Sequence, residues 1–312
     1  MPSFFSDQSN FPDISIQVIV DTLVFLTLCG SLAALNQLGQ PGLTGFWCHD
    51  ESISLPYKDD SISKPVLLAM GFGVPLCVIL LTECFRLATS NKKTRTIKAQ
   101  LLTVVKAYGV FMFGMAADML LTEMLKYSVG RPRPHFMDVC KPHFDHTNCS
   151  SVIWPKVRYV EEYECSNTKF HPKLLRDSRL SFPSGHASVS VYSALFTVFY
   201  LQLRLELKSS YLLRPLTQFG VMLLAIYCCV SRITDHKHFA SDIAAGSTIG
   251  FTFAWMAFYK LGMRVIPEAP TANKPRVLPR AMSVESEPQT PTPLLRPAAY
   301  VQGRRPDFAD KV

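Results

Sequence analysis

Charged residues are scarce in this 312-residue chain, where they make up 18% of the sequence against 48% hydrophobic residues. The hydrophobic residues occur in long runs separated by short charged segments, a pattern that excludes an ordinary soluble domain and is typical of a multi-pass membrane protein. The sequence has no internal repeat. Its first residues contain no basic segment and no small-residue cleavage site, so we expect the first hydrophobic run to be a retained span and not a cleaved signal peptide.

Six of these runs have roughly the twenty residues that a bilayer core requires. They are Ile14–Leu38, Val66–Phe85, Gln100–Tyr127, Ala187–Leu205, Leu212–Ile233 and Phe239–Leu261. We therefore predict an all-α, polytopic membrane protein with six transmembrane helices in residues 14–263. Residues 1–13 are expected to be a short cytoplasmic N-terminus, and residues 264–312, rich in Pro, Ser, Thr and charge, a disordered cytoplasmic tail. Gly246 and Gly250 predict close helix contact, inside one chain or in a homo-oligomer.

Basic residues are concentrated in two segments outside these runs. They are Arg86, Lys92, Lys93, Arg95 and Lys98 after the second run, and Arg264, Lys274, Arg276 and Arg280 after the sixth. Both segments are therefore expected to be cytoplasmic. Six spans then place residues 39–64, residues 128–185 and the segment Ser231–Asp242 on the outer face. Because the net charge of +8 resides mainly in such connections, we expect no nucleic-acid binding.

The outer loop 128–185 has two features of a non-cytoplasmic segment. It contains an N-glycosylation acceptor at Asn148, in the triplet Asn148-Cys149-Ser150. Four cysteines of the outer loops could pair in an oxidising compartment by any of three connectivities, namely Cys48, Cys140, Cys149 and Cys165. A bond between Cys140 and Cys149 would close a small loop and is one expectation.

The segment Ser231–Asp242 combines two cations, two histidines and carboxylates between two hydrophobic runs. If the following run continues as a helix, His238 and Asp242 stand on one face, four residues apart. The carboxylate can then accept a proton from one imidazole nitrogen and leave the other free to react. Arg232 would supply a fixed positive charge beside that imidazole.

Two other interpretations of this segment remain open at this point. It could be a polar connection between helices, which would need polarity but not this ordered set of side chains. It could also hold a metal ion on His236, His238 and Asp242. The positive charges of Arg232 and Lys237 would repel a cation and disfavour a metal site.

A second cluster follows the third run, where Lys126, Arg131 and Arg133 occur within eight residues. Gly130 and the prolines at 132 and 134 predict that the helix ends here in a fixed turn. Basic helix ends commonly extend to lipid headgroups, which is the alternative interpretation. Such anchors are favoured on the cytoplasmic side, whereas this one is predicted outside, so we favour anion binding.

A third cluster, Phe182–Ser188, precedes the fourth run. Pro183, Ser184 and Gly185 before a helix leave free backbone N–H groups at the positive end of its dipole, which can bind phosphate. His186 would lie in the first turn, where a lone histidine is commonly a capping or surface residue. Taken together, the three clusters offer cations, hydrogen-bond donors and two histidines for phosphoryl transfer without a metal.

The three clusters resemble the signature motifs of the lipid phosphate phosphatases, the integral-membrane type 2 phosphatidic acid phosphatase family. The first matches Lys, six residues and Arg-Pro at Lys126–Pro134, and the second matches Pro-Ser-Gly-His at Pro183–His186. The third matches Ser-Arg, five residues, His, three residues and Asp at Ser231–Asp242. All three match without a gap, and the resemblance covers about residues 14–263.

The resemblance implies a role for each matched residue and no cofactor or metal. His238 would attack phosphorus and form a phosphohistidine, Asp242 would hold its tautomer, and His186 would protonate the leaving lipid alkoxide. The phosphate-binding residues would be Lys126, Arg133, Arg232, Ser184 and Gly185, with Arg131, Pro134, His135 and Ser231 close enough to assist.

The implied substrates are phosphomonoesters of membrane lipids: phosphatidate, lysophosphatidate, ceramide 1-phosphate and sphingosine 1-phosphate. A site at the outer ends of helices would let such a lipid keep its chains in the bilayer. The catalytic face would be extracellular in the plasma membrane, or luminal in an internal membrane.

Other functions are compatible with a polytopic chain. A catalytically silent relative that binds lipids or partners would lack essential motif residues, whereas His186, His238 and Asp242 are all present. The motif set also argues against a transporter. Glucose-6-phosphatase shares similar motifs but has more spans, and the vanadium haloperoxidases share the anion site in soluble proteins, so six spans argue against both.

Overall fold

The computed structural model describes residues 14–89, 96–143, 159–207 and 210–267. Four sequence features lie wholly or mostly outside these ranges: the segment 1–13, the glycosylation acceptor at Asn148, Cys149 and the tail beyond residue 267. The predictions made for them stay predictions.

Within the described ranges the chain is 72% helical with almost no sheet, which confirms the all-α fold class. The helices are α1 Ile14–Leu38, α2 Lys64–Thr89, α3 Ile97–Val129, α4 Phe136–Cys140, α5 Pro172–Asp177, α6 Gly185–Arg204, α7 Leu213–Thr234, α8 Ala240–Trp255 and α9 Met263–Val265. A π-helical segment, Met256–Gly262, connects α8 to α9 without a break. Two antiparallel strand pairs, β1 Phe46–Trp47 with β3 Tyr159–Val160 and β2 Pro142–His143 with β4 Glu164–Cys165, join the outer connections.

Four of the described helices are long and apolar enough to cross a membrane, so the chain is a polytopic membrane protein. They are Ile16–Leu38, Lys64–Thr89, Ile97–Val129 and Leu213–Thr234. The other two predicted spans correspond to α6 and to α8 with its π-helical continuation. That these two helices also cross the membrane remains a prediction. Helix α6 has 20 residues, and this length corresponds to roughly 30 Å.

Helix α6 is less apolar than a lipid-facing helix because it lies inside the bundle. It contacts α2, α3, α7 and α8, and most of its side chains are buried. Tyr192 packs against Phe111 and Phe196 in the core, and its hydroxyl donates a hydrogen bond to the Phe111 carbonyl at 2.8 Å. Buried serine and threonine hydroxyls satisfy their hydrogen bonds within the bundle, as Ser193 does on the Gly71 carbonyl at 2.7 Å. The surrounding helices thus fix both the rotation of α6 and the position of its N-terminus.

The closest contact of α6 is with α8, at the two glycines that the sequence singled out. A Cβ atom on Gly246 would lie 2.3 Å from the Ser184 carbonyl oxygen, and one on Gly250 would lie 2.4 Å from that of Ser188. Real Cβ atoms essentially never come this close to another heavy atom. The predicted close helix contact is confirmed, and it is made inside one chain.

The outer connections are joined by a disulfide between Cys140 and Cys165. The expected pair of Cys140 and Cys149 is therefore wrong. The reason is the antiparallel pairing of β2 with β4, which places Pro142 opposite Cys165 and brings Cys140, just before β2, within 4.7 Å between Cα atoms. Sequence distance alone favours the shorter loop and carries no information about this pairing. Cys48 is disulfide-bonded as well.

The glycine contact predicts a difference between two alanine substitutions. Gly246→Ala is expected to force α6 and α8 apart and to lower stability by about 1–3 kcal/mol, since the added methyl group meets backbone and not a flexible side chain. Gly220→Ala on α7, where a Cβ would have nothing within 4 Å, is the matched control and should be neutral or stabilising. Thermal unfolding in detergent measures both, and equal midpoints for the two variants would contradict the contact.

Candidate active site

The three sequence clusters meet at one end of the helix bundle. Helix α3 ends at Gly130, whose φ of 62° is the left-handed conformation that favours glycine and whose amide donates to the Lys126 carbonyl. The chain then turns so that the Arg133 guanidinium reaches the Lys237 carbonyl, at 3.5 Å. The amide of Ser184 donates to the Asp242 carbonyl at 3.0 Å and links the start of α6 to the start of α8.

His238 is buried and has a defined tautomer. Its Nδ1 lies 2.7 Å from the backbone carbonyl oxygen of Ser181. A carbonyl oxygen can only accept, so Nδ1 carries the proton and Nε2 keeps the free lone pair. Asp242 Oδ2 lies 3.6 Å from Nδ1, so the predicted His238–Asp242 contact is present, but it is longer than the bond to Ser181. Helix α8 begins only at Ala240, so His238 precedes it and does not share a helical face with Asp242.

The Asp242 carboxylate is instead held by three other donors. Oδ2 accepts from the Ser181 hydroxyl at 2.6 Å and from the Phe239 amide at 3.0 Å, which caps the first turn of α8. Oδ1 accepts from Arg131 Nη1 at 2.6 Å. The Arg131 guanidinium also lies over the Phe239 ring, 4.1 Å from its centroid. Arg131 therefore contacts the carboxylate and not a free anion position.

Arg133 and Lys126 are cations that face carboxylates near the site. Arg133 is buried and donates from Nε to the Asp177 carbonyl at 2.8 Å, while its Nη2 lies 3.4 Å from the Asp177 carboxylate. Lys126 Nζ contacts the Glu123 carboxylate one turn earlier in α3. Their partners are carboxylates at the cavity wall. A phosphate dianion that binds these two cations would therefore lie next to Asp177 and Glu123 as well.

Arg232 is fully buried and has an acidic environment of its own. It donates at 2.8 Å to Asp60 from Nη1 and at 2.8 Å to Asp235 from Nη2, and it contacts the Ser231 hydroxyl at 3.0–3.1 Å. Its Nη1 lies 3.5 Å from His186 Nε2. The Arg232 carbonyl accepts from the His238 amide at 3.2 Å, so the two residues are backbone neighbours, as expected. Arg232 lies on α7, and its guanidinium points to the first outer connection and to α6.

The start of α6 supplies the remaining predicted groups. Ser184 caps the helix by accepting from the Ala187 amide, and the first amides of any helix have no intrahelical acceptor. His186 Nε2 donates to the Ile62 carbonyl at 3.1 Å. Gly185 lies against Lys126, because a Cβ on Gly185 would be 2.8 Å from Lys126 Nζ. A glycine here lets the ammonium group approach the N-terminus of the helix.

Lys126, Gly185 and His186 line a cavity of about 590 Å³, and His238, Arg133 and Arg232 are not among its lining residues. Its polar wall includes Lys126, Gly185, His186, Asp60 and Asp177. Its apolar wall is formed by α2, α3 and α6 through Leu67, Leu68, Met119 and Val189, with Leu174 and Leu180 at the outer connection. One cavity therefore joins a charged, helix-terminal surface to a surface formed by hydrophobic helices.

Burial and charge set the protonation states around the cavity. Burial and, secondarily, the Arg133 charge lower the pKa of His238 to about 4, which keeps its imidazole neutral at physiological pH. Burial alone would raise the pKa of Asp177, but the charges of Arg133 and Lys64 hold it well below its usual range. Burial also lowers the pKa of Lys237, against the attraction of Asp60.

Some predicted neighbours face away from the cavity. His135 Nδ1 hydrogen-bonds the His236 carbonyl at 2.7 Å, and burial lowers its pKa to about 3. The Pro134 carbonyl accepts from the Leu55 amide. His236 Nδ1 contacts the Pro56 carbonyl at 2.9 Å, so it does not converge with His238, and the described residues contain no group of three His, Cys, Asp or Glu side chains placed to hold a metal ion.

Sequence reasoning missed four residues of the site: Asp60, Asp177, Ser181 and Asp235. Asp60 and Asp235 are single acids in charged stretches, where nothing local distinguishes them from their neighbours. The sequence carries no signal for Ser181, since its contacts are with residues 57 and 61 positions away.

Comparison with known proteins identifies the family of this chain. The PAP2 superfamily pattern matches residues 107–266. Phospholipid phosphatase 1 of Mus musculus is 35% identical over 254 residues, covering 80% of this chain and 84% of that protein. Its counterpart in Rattus norvegicus is 37% identical over 243 residues, covering 76% and 82%. Phospholipid phosphatase 2 of Bos taurus is 32% identical over 272 residues, covering 87% and 90%.

The chain therefore belongs to the PAP2 superfamily, as the three motifs predicted. With its apolar helices, it is an integral-membrane phosphatase.

The Gly185 contact predicts the effect of one added methyl group. Gly185→Ala is expected to displace the Lys126 ammonium from the helix N-terminus and to lower phosphatase activity by about 10²-fold, since small displacements of an anion-binding group have effects of that size. The unfolding temperature should change little, because the displaced atom ends a flexible side chain. Gly109→Ala, in the same helix as Lys126 and with open space at its Cβ, is the control and should keep full activity.

Proposed function

We propose that this protein hydrolyses phosphomonoesters of membrane lipids without a metal ion, through a phosphohistidine on His238. The substrate class would be phosphatidate, lysophosphatidate, ceramide 1-phosphate and sphingosine 1-phosphate. The observation that carries the proposal is the single cavity in which Lys126, Gly185 and His186 face an apolar wall. The relatives named phospholipid phosphatase support the same substrate class.

In the first step the Nε2 lone pair of His238 attacks phosphorus. A P–N bond forms, and the P–O bond to the lipid breaks with its electron pair on the leaving oxygen. That oxygen takes a proton from the imidazolium form of His186, which becomes neutral, and the lipid alcohol departs. Lys126, Arg133 and Arg232, with the Ser184 and Gly185 groups at the helix terminus, neutralise the phosphoryl oxygens.

In the second step water attacks the phosphorus of the phosphohistidine and gives a proton to His186. The P–N bond breaks with its electron pair returning to Nε2, so inorganic phosphate leaves and both histidines regain their starting states. Throughout, the proton stays on Nδ1 and its hydrogen bond to the Ser181 carbonyl is kept, which holds Nε2 directed at phosphorus. One water is consumed for each lipid alcohol and phosphate released.

The apolar wall supports a lipid substrate over a soluble phosphate ester. Leu67 and Leu68 belong to α2 and Met119 to α3, two helices apolar enough to lie in a bilayer. The acyl or sphingoid chain would remain against these residues while the phosphate enters the polar half of the cavity. A sugar phosphate would leave this wall exposed to water at a cost of roughly 25 cal/mol for each Å².

The catalytic face is proposed to be extracellular, or luminal in an internal membrane. The basic connection after the second span supports this side, since basic segments favour the cytoplasm. The Cys140–Cys165 disulfide also supports it, because such bonds persist in oxidising compartments. The same topology would expose Asn148 to glycosylation and put the segments 1–13 and 264–312 in the cytoplasm.

The proposal is tested by phosphate release from phosphatidate in detergent micelles containing EDTA. The wild type should be fully active, and His238→Ala should lose at least about 10³-fold, as loss of a nucleophile does. His236→Ala removes a neighbouring imidazole with no assigned role and should stay close to wild type. Absence of release by the wild type would instead indicate a catalytically silent member of the family, and full activity in His238→Ala would contradict the mechanism.

The acid limb of the pH profile should respond to the charge of Arg133. His238 must be neutral to attack, and Arg133 helps to hold its pKa at about 4, so removing that charge in Arg133→Gln raises the pKa and moves the limb to higher pH. Arg133→Lys keeps the charge and should move the limb less. The measurement is kcat/KM between pH 4 and 7, and equal shifts in both variants would contradict this origin of the pKa.

A further inference from the structure

We propose that Ser181 is a positioning residue that orients both members of the His238–Asp242 pair, one through its carbonyl and the other through its hydroxyl. This inference rests on the proposed function. The motif spacing predicts that Asp242 holds the tautomer of His238, whereas here that role falls to Ser181, which lies outside the three motifs. The residue lies between α5 and α6 and is fully buried.

Three hydrogen bonds hold Ser181 in place. Its carbonyl accepts from His238 Nδ1 at 2.7 Å, its hydroxyl donates to Asp242 Oδ2 at 2.6 Å, and its amide donates to the Arg131 carbonyl at 2.9 Å. The first two bonds run from a single residue to the imidazole and to the carboxylate. A movement of Ser181 would therefore displace both groups together.

The hydroxyl decides which acceptor His238 uses. Asp242 Oδ2 stands 3.6 Å from Nδ1, little more than a hydrogen-bond length, and two donors hold it there, the Ser181 hydroxyl and the Phe239 amide. With the hydroxyl bonded to it, the carboxylate remains a nearby negative charge while the Ser181 carbonyl fixes the imidazole. Without the hydroxyl, Oδ2 can approach Nδ1 and rotate the ring, which would turn Nε2 away from phosphorus.

The same hydroxyl affects the charge at His238. The hydrogen bond that the hydroxyl donates to Oδ2 weakens the attraction between the carboxylate and a protonated imidazole. Removing the hydroxyl therefore stabilises the protonated form of His238. The other titratable groups near His238 are Lys126 on α3, Arg133 after α3 and His186 on α6, with Asp242 on α8. The Ser181 hydroxyl does not bond to Lys126, Arg133 or His186. Removing it therefore changes first the effect of the Asp242 charge on His238.

The test is Ser181→Ala, which removes the hydroxyl and keeps the carbonyl. We expect kcat on phosphatidate to fall about tenfold, the loss that follows from one hydrogen bond to a charged group, with KM changed by less than about twofold. The acid limb of kcat/KM should move to higher pH. The control is Ser178→Ala, an equally buried serine of the same segment whose hydroxyl bonds only to the Leu175 carbonyl among the described residues.

The outcomes separate this inference from the proposed function. If Ser181→Ala matches the wild type in kcat and in its acid limb, Ser181 has no positioning role, while an active wild type and an inactive His238→Ala still support the phosphatase mechanism. If Ser181→Ala and Ser178→Ala lose equal kcat with unmoved acid limbs, the effect is general packing and the inference is overturned. If His238→Ala is fully active, the proposed function fails and this inference fails with it.

Discussion

Charge neutralisation inside a buried site is the constraint on which this structure depends. Arg133 and Arg232 are buried cations, and a buried charge is costly unless it is paired. The protein supplies the partners from distant segments: Asp177 from α5 faces Arg133, and Asp60 from the first outer connection faces Arg232. The outer connections are therefore structural parts of the site. The same cations are the groups proposed to bind the substrate phosphate, and their carboxylate partners hold them in place before it arrives.

Helix α6 holds the elements that carry these residues at fixed positions relative to one another. Its glycine contacts with α8 bring Ser184 against the start of α8, which carries Asp242, and its N-terminus meets Lys126 of α3 at Gly185. Because α6 is enclosed by four helices, its hydroxyl-rich surface is satisfied inside the bundle and does not need to be apolar. The same enclosure explains why its composition is a weaker membrane signal than that of α2 or α3.

Much of this could be read from the sequence, for reasons that are local. Hydrophobic runs, a glycine pair at helical spacing and three motifs with internal spacings each report on residues close together in the chain. The span count and the positions of the basic segments together predict that the motif histidines and cations lie on one face of the membrane. The errors came where tertiary contacts override local spacing. His238 and Asp242 are four residues apart, yet α8 begins between them, so the imidazole bonds to Ser181. Cys140 pairs with Cys165 because two short strands meet, which no residue count reveals. The Asp60–Arg232 pair, 172 residues apart, could not be found from either segment.

The central claim is that phosphate passes through a covalent bond to His238. The most direct measurement is to mix His186→Ala with phosphatidate labelled in its phosphate, quench in alkali, which preserves phosphohistidine, and locate the label on the chain by mass spectrometry. Because His186 is proposed to activate the water that hydrolyses the intermediate, the phosphohistidine should persist in this variant, with label on the peptide that contains His238 and none in His238→Ala. Product formation with an unlabelled chain, or label on another residue, would contradict it.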